Sequence, residues 1–264
     1  MAHSPLVLLH GSNSCAAEMT PLADALRDHD LRIPDLLGHG GRPIPERLDI
    51  ESIADDLERW LDERRIGPAH FVGYSFGGYV ALLLALRQST RVRSVTALAT
   101  VFRWTPGTVR YVVHLADPER LARPGNRRGG EMERAHGPGW RKVSQNNRAL
   151  FAALGEQAPL TDVALSGLGT PVLVLSGATD PLVPETEARH LAKLLPNARL
   201  GLWPWAAHPL RDVPLRQVAR AIGAFTGQVE EDRFVPGPPL RLEQPLALGG
   251  LAAGDVQIAI GRRD

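Results

Sequence analysis

The chain has 264 residues, enough for one large α/β domain or two small ones. Hydrophobic residues make up 44% and charged residues 22%, which provides for a sizeable core and excludes global disorder. The formal net charge of +1 leaves no excess positive charge that would indicate a nucleic-acid-binding protein.

The cysteine content bears on the cellular compartment. Cys15 is the only cysteine, which excludes an intramolecular disulfide framework and any zinc or iron–sulfur site built from several cysteines. A reducing, cytoplasmic location is therefore predicted. The N-terminus has no basic region of the signal-peptide type, and the apolar runs are far shorter than a membrane span, so no membrane association is expected.

Short apolar runs alternate with segments of helical period, a pattern typical of βα units and a largely parallel sheet. In the first part of the chain it predicts strands at 6–9, 31–33, 70–74 and 92–99, and helices at 20–28, 50–67 and 76–88. After residue 165 the pattern resumes, with strands at 171–176 and 199–203, a helix at 185–195 and a last helix that ends near 225.

The stretch between these two parts is rich in Gly, Pro and Arg and contains no buried strand pattern. We therefore predict an α/β core formed by residues 1–102 and 166–227, interrupted by an insertion at 103–165. Residues 228–264 form a C-terminal extension.

The sequence Gly73-Tyr74-Ser75-Phe76-Gly77 matches the pattern G-x-S-x-G. The bare pattern is weak, but here a predicted buried strand precedes it and a predicted helix follows it, which is the setting that a nucleophile elbow requires. Such a turn exposes the serine hydroxyl at the end of a sheet strand. The alternative is a tight strand-to-helix turn with a buried serine and no chemical role.

With this motif the chain resembles the α/β-hydrolase fold family, in particular its small, cap-bearing serine hydrolases. Further motifs of the family follow in the expected order along residues 5–227: His10-Gly11, Asp35-Leu36-Leu37-Gly38-His39-Gly40, the elbow at Ser75, Ser176-Gly177-Ala178-Thr179-Asp180, and Ala207-His208. The resemblance implies a mostly parallel central sheet flanked by helices, with a short helical cap at 103–165.

Chain order and spacing indicate a catalytic triad. A serine hydroxyl needs a base to remove its proton, and that base needs an acid to fix its tautomer. Asp180 follows the strand at 171–176 and His208 follows the next strand, which gives the order Ser, Asp, His of this fold. Ala207 departs from the glycine that the family commonly has before this histidine, which leaves the position of the His208 loop open.

An oxyanion hole is expected from two backbone N–H groups. One is that of Phe76, the residue after the nucleophile, and the other comes from the loop after His10-Gly11. Ser12 is the expected second donor, and Asn13 is the alternative. Cys15 follows this loop, has no nearby base in the sequence, and is interpreted as a small buried thiol.

The insertion is strongly basic. Between residues 103 and 148, nine arginines and one lysine face four acidic residues, a net charge of +6. A basic cap could attract an anionic or carrier-bound acyl substrate, although a solvated arginine-rich surface explains the charge equally well. Four aromatic residues could line an acyl pocket or simply pack the cap: Trp104, Tyr111, Trp140 and Phe151.

The C-terminal extension contains two alternating segments, 240–243 and 256–260, separated by glycines. Relatives usually begin with a hairpin before the strand that leads to His-Gly, whereas only nine residues precede His10 here. We therefore hypothesise a circular permutation in which the extension supplies the hairpin at the sheet edge that is normally built first. A disordered tail or a strand exchanged between subunits are the alternatives.

Together these features predict a serine hydrolase that cleaves a carboxylic ester or thioester through an acyl-enzyme on Ser75. This chemistry needs no metal and no organic cofactor. A C–C bond hydrolase with the same triad, a non-hydrolytic lyase or cyclase, and a ligand-binding protein remain alternatives, because one fold hosts many functions.

Overall fold

The protein is represented by a computed structural model that describes residues 4–88, 90–237 and 240–241. The strands in these ranges are β1 (Leu6–Leu9), β2 (Leu31–Arg32), β3 (Ala69–Tyr74), β4 (Val92–Leu98), β5 (Val172–Gly177), β6 (Ala198–Trp203) and β7 (Leu240–Arg241). They form one sheet in the order β2-β1-β3-β4-β5-β6-β7, and every described pairing is parallel. The predicted parallel sheet is confirmed.

Helices cover both faces of the sheet, because successive side chains of a strand point to opposite sides. The helices of the core are α1 (Thr20–Ala25), α2 (Ile50–Glu63), α3 (Phe76–Arg87), α9 (Glu185–Leu194) and α10 (Leu215–Glu230). Leu6 and Leu8 of β1 pack with α1 and α10, whereas Val7 and Leu9 pack in a separate cluster with α2, α3 and α9.

The insertion is helical, as the resemblance implied. Its helices are α4 (Pro106–Leu115), α5 (Pro118–Leu121), α6 (Arg127–His136), α7 (Trp140–Glu156) and α8 (Asp162–Ser166). Side chains of α7 contact both the segment after β1 and the first turn of α3, which follows β3. The insertion therefore lies over the carboxyl ends of β1 and β3.

Two helix boundaries differ from the expectation. The helix α2 ends at Glu63 and not at Gly67, because Arg65 adopts a left-handed φ of +52° and the N–H of Ile66 bonds back to the carbonyl of Leu61. The helix α1 begins at Thr20, after a 3-10 turn at Ala16–Met19, but ends at Ala25 and not at residue 28, because Leu26 leaves the helical region with φ of −112° and ψ of 15°.

The extension joins the sheet at an unexpected edge. Leu240 and Arg241 pair in parallel with Gly201 and Leu202 of β6, at the edge opposite β1 and β2, where the N-terminal strands lie. The first predicted hairpin segment therefore differs in position from the hypothesis. The second segment, 256–260, lies outside the described residues.

Within the described ranges, each helix is too short or too polar to traverse a lipid bilayer.

Candidate active site

Ser75 occupies a sharp turn between β3 and α3, with φ of +52° and ψ of −117°. The chain can turn this tightly because both motif glycines lack a side chain. A Cβ at Gly73 would lie 2.3 Å from the backbone of Gly77, and a Cβ at Gly77 would lie 2.4 Å from the carbonyl oxygen of Leu9. Ser75 itself is 7% exposed, so its hydroxyl is largely shielded from solvent.

Asp180 lies in the loop after β5, and its carboxylate is fully buried. One carboxylate oxygen, Oδ1, accepts hydrogen bonds from the backbone N–H groups of Leu182 at 2.8 Å and Val183 at 2.9 Å. The other, Oδ2, lies 2.7 Å from His208 Nδ1. Because the backbone bonds orient the carboxylate, Oδ2 is held toward the imidazole.

His208 lies in the loop between β6 and α10, and its side chain is 19% exposed. Nδ1 donates to Asp180, so Nε2 carries the lone pair and accepts from the Ser75 hydroxyl at 3.1 Å. This arrangement can remove the serine proton. The sequence placed these three residues in order only, and the structure brings them together.

The backbone of His208 is held from the sheet side. The Tyr74 hydroxyl donates to the His208 carbonyl oxygen at 2.9 Å, and a Cβ at Gly177 would lie 1.9 Å from the carbonyl oxygen of Ala206. Ala207 in place of the usual glycine does not displace the imidazole from hydrogen-bond distance. Tyr74 was not singled out from the sequence, because it fills a variable position of the G-x-S-x-G pattern.

The first N–H groups of α3 have no acceptor within the helix, and the first of them, that of Phe76, directly follows Ser75. The segment Gly11, Ser12 and Asn13, here named the 11–13 loop, follows β1, which pairs with β3 in the sheet. His10 Nδ1 donates to the Gly11 carbonyl oxygen at 2.7 Å, which fixes the Gly11–Ser12 peptide plane and with it the N–H of Ser12.

His10 keeps one tautomer because its other nitrogen, Nε2, accepts from the Leu36 N–H at 3.0 Å. Burial lowers its pKa to about 4, so the ring is neutral at physiological pH. His10 therefore has a structural role, as its place in a turn motif indicated. Its hydrogen bonds link the segment after β1 to the segment after β2.

The D-x-x-G-H-G segment is also structural. Asp35 Oδ1 accepts from the Ala16 N–H at 2.6 Å, and Gly40, with φ of +61°, leaves room for the Asp35 carboxylate, which a Cβ there would contact at 2.3 Å. His39 is buried, and its Nδ1 lies 2.9 Å from the Leu37 carbonyl oxygen.

The aromatic residues of the insertion separate into a buried and an exposed group. The rings of Trp104 and Phe151 stack at 5.4 Å, and Phe151 contacts Phe76 edge-on at 5.9 Å. Tyr111, by contrast, is 41% exposed. Trp140 is partly buried beside Met132 and Val143. This distribution favours the packing interpretation over an acyl pocket lined by all four.

The basic charge of the insertion is partly neutralised by neighbouring carboxylates. Arg128 lies 3.9 Å from Glu18 and Lys142 lies 3.3 Å from Glu46, two carboxylates outside the insertion that its net charge of +6 does not include. Cys15 is half-buried, and burial raises the pKa of its thiol, which disfavours a nucleophilic thiolate.

The chain is similar in sequence to proteins named as hydrolases and esterases. A protein of Pseudomonas savastanoi pv. phaseolicola named as a carbamate hydrolase is 29% identical over 235 residues, covering 78% of this chain and 88% of its own. A pimeloyl-acyl-carrier-protein methyl ester esterase of Neisseria meningitidis is 28% identical over 194 residues, covering 66% of this chain and 74% of its own.

Among solved structures, an esterase of Thermogutta terrifontis superimposes with a TM-score of 0.68 at 26% identity, covering 86% of this chain and 91% of its own. A family model described as the alpha/beta hydrolase family matches residues 6–221, which is most of the chain. The protein is therefore a hydrolase that belongs to the alpha/beta hydrolase family.

Proposed function

We propose that the protein hydrolyses a carboxylic ester or thioester through an acyl-enzyme on Ser75. The observation that carries this proposal is the continuous hydrogen-bond path from Ser75 Oγ through both nitrogens of His208 to the buried carboxylate of Asp180. The names of similar proteins support an ester substrate, since they include a methyl ester esterase and a thermophilic esterase.

In the first half of the reaction, Ser75 Oγ bonds to the acyl carbon while its proton passes to His208 Nε2. Asp180 stabilises the imidazolium that forms. The oxyanion accepts hydrogen bonds from the N–H groups of Phe76 and Ser12. When the tetrahedral intermediate collapses, His208 Nε2–H protonates the leaving alcohol or thiol, and the acyl group stays on Ser75.

In the second half, His208 takes a proton from water, whose oxygen attacks the acyl-enzyme. The second tetrahedral intermediate releases the carboxylic acid and returns the proton to Ser75 Oγ. No step requires a metal or an organic cofactor.

We also propose that the +6 insertion favours an anionic or carrier-bound acyl substrate, and that the enzyme works in the cytoplasm, where a lone thiol such as Cys15 stays reduced. In the same proposal, residues 1–102 and 166–227 form the hydrolase core, 103–165 its cap, and 228–264 an added extension. Packing of Phe234 on Phe225 at 5.1 Å supports an extension that begins on the core surface.

Labelling with a fluorophosphonate tests the nucleophile, because the probe forms a stable bond only with an activated serine. We expect one adduct on Ser75, located by intact mass and peptide mapping, and none in Ser75→Ala. Asp180→Asn should keep the fold but lower kcat for p-nitrophenyl acetate by about 10⁴-fold, since the imidazole loses its correct tautomer. Folded wild-type protein that forms no adduct would contradict the proposal and favour the lyase or ligand-binding alternatives.

A further inference from the structure

The insertion is joined to the 11–13 loop by a buried side chain that the proposed mechanism does not use. Asn147 on α7 is 0% exposed, and its Nδ2 lies 3.1 Å from Asn13 Oδ1, 3.1 Å from His39 Nε2 and 3.0 Å from the Val143 carbonyl oxygen. A fully buried amide with two contacts outside its own helix links three separate segments of the chain.

The neighbouring groups determine which way the Asn147 amide points. His39 Nδ1 faces the Leu37 carbonyl oxygen, which can only accept, so Nδ1 carries the proton and Nε2 is an acceptor. The Val143 carbonyl oxygen is also an acceptor. Both therefore require the NH2 group of Asn147 on their side. Its two hydrogens are shared among these two acceptors and Asn13 Oδ1, so one N–H group makes a bifurcated bond.

Asn13 is the residue of the 11–13 loop that most needs an external support. Its φ of +54° lies in the left-handed region, which residues other than glycine seldom adopt and asparagine adopts more readily than most. Asn13 directly follows Ser12, so a change in its backbone angles moves the Ser12–Asn13 peptide, which carries the Asn13 N–H and ends at the Cα of Ser12. The Ser12 N–H lies in the preceding Gly11–Ser12 peptide, whose carbonyl oxygen accepts from His10. The bond from Asn147 holds the Asn13 side chain, and through it this conformation.

A second contact from the insertion acts on the same peptide. The Arg128 guanidinium, on α6, donates to the Ser12 carbonyl oxygen at 3.1 Å and also approaches Glu18, whose Oε2 accepts from the Gly11 N–H at 3.1 Å. The insertion thus contacts both the Ser12 carbonyl and the Asn13 side chain.

We propose that Asn147 is a positioning residue that holds the 11–13 loop in the geometry of the oxyanion hole, acting through Asn13. This inference rests on the proposed acyl-enzyme mechanism. In this proposal the 11–13 loop reaches the geometry of the oxyanion hole only when the insertion is packed against the core. The insertion then has a role in catalysis besides covering the substrate.

The proposal predicts a loss in kcat and not in substrate binding. An oxyanion exists only in the transition state and the tetrahedral intermediates, so a displaced N–H group weakens their stabilisation while the substrate binds as before. A displacement of about 1 Å in a catalytic group can lower the rate by up to about 10²-fold.

The chain offers a matched control for Asn147. The preceding residue, Asn146, is the same amino acid on the same helix, is 6% exposed, and donates to the Pro45 carbonyl oxygen at 2.9 Å without contacting the 11–13 loop. We would measure the second-order rate of fluorophosphonate labelling, and kcat and KM for p-nitrophenyl acetate, in Asn147→Ala and Asn146→Ala. Thermal unfolding of both variants reports their loss of stability.

We expect Asn147→Ala to lower kcat and the labelling rate at least about tenfold with KM within about twofold, and Asn146→Ala to keep both near the wild-type values. Equal effects of the two variants, or a change confined to KM, would overturn the proposal. Should Asn147→Ala fail to fold, Asn147→Asp and Asn13→Ala replace it, and unaltered kcat in both would also overturn the proposal.

Coupling to Asn13 separates a positioning role from a general packing role. If Asn147 acts through Asn13, the double variant Asn13→Ala/Asn147→Ala should lose no more activity than the stronger single variant. Multiplied losses would contradict this. If wild-type protein is labelled on Ser75 and Asn147→Ala is labelled equally fast, only this inference is refuted and the proposed function stands. If folded wild-type protein is not labelled, the proposed function itself is refuted.

Discussion

Ser75 has a backbone conformation that costs a residue with a side chain about 1–3 kcal/mol and persists only where the surroundings impose it. The surroundings here are β3, α3 and the end of β1, which approach so closely that two positions must be glycine. At Gly77, an added Cβ would lie 2.4 Å from the Leu9 carbonyl oxygen and 2.6 Å from that of His10, and both are backbone atoms that cannot turn aside.

Gly77→Ala should therefore lower the free energy of unfolding by about 1–3 kcal/mol, because the added methyl group forces α3 away from β1. Gly227→Ala is the matched control. Gly227 also lies in a helix, α10, but a Cβ there would meet nothing within 4 Å, so alanine should raise the free energy of unfolding by about 0.5–1 kcal/mol. Urea unfolding of both variants distinguishes a steric effect at Gly77 from the general effect of glycine in a helix. A Gly77→Ala protein as stable as wild type would contradict the predicted steric clash.

At the scale of elements, α7 connects the insertion to the core through two different kinds of contact. Phe151 contacts Phe76, the residue after Ser75, and stacks on Trp104, whereas Asn147 one turn earlier makes the polar contacts to the 11–13 loop. Apolar contacts supply most of the docking free energy, since burial of an aromatic side chain removes a large area from water. The polar contacts fix the register of α7 against the core.

Phe151→Ala should lower the free energy of unfolding by about 3–5 kcal/mol, because it opens a cavity between α7 and α3. Tyr111→Ala tests the specificity of this effect. Tyr111 is 41% exposed on α4 of the same insertion, so its loss should change the free energy of unfolding by less than about 0.5 kcal/mol. Similar values for the two variants in urea unfolding would show that the aromatic cluster does not hold the insertion.

At the scale of the whole molecule, the parallel sheet brings polar side chains from distant parts of the chain close together. Ser75 and His208 are 133 residues apart in sequence, but both follow strands whose carboxyl ends lie at one edge of the sheet. The same topology places two buried histidines next to each other. His10 follows β1, His39 follows β2, and their rings lie 5.4 Å apart in the interior, where burial lowers their pKa values to about 4 and about 3.

These pKa values make the stability of the whole protein depend on pH. In the unfolded chain histidine takes up a proton near pH 6.5, whereas His10 and His39 stay neutral in the folded protein until about pH 4 and 3. Below pH 6.5 the unfolded state therefore binds more protons, and the free energy of unfolding falls as the pH falls toward 4.

The variant His39→Gln should reduce the slope of this dependence between pH 6 and pH 4.5 by about one proton, or about 1.4 kcal/mol per pH unit. Urea unfolding of wild type and variant at several pH values in that range measures the two slopes. Parallel slopes would show that His39 does not remain neutral in the folded protein.

The elements and the order of the site residues could be predicted because they depend on short stretches of chain. The apolar run before Ser75 and the apolar helix after it identify the elbow locally, and the strands before Asp180 and His208 place them in order. The predicted end of α2 was wrong, because the left-handed residue that ends the helix is Arg65 and not a glycine, so no local sequence signal marks the end. The position of Leu240 and Arg241 at the β6 edge likewise has no local signal.

The sequence by itself determined a mostly parallel α/β fold, since strand period, helix period and turn residues are properties of a few neighbouring residues. From the same signals it predicted an insertion, a nucleophile elbow at Ser75, and Asp180 and His208 as partners in chain order. Only the tertiary structure decided the 3.1 Å and 2.7 Å contacts that join these residues, and the bond from Asn147 to Asn13 across 134 positions. Such contacts depend on how the helices pack against the sheet, and packing is a property of the whole chain that no short segment contains.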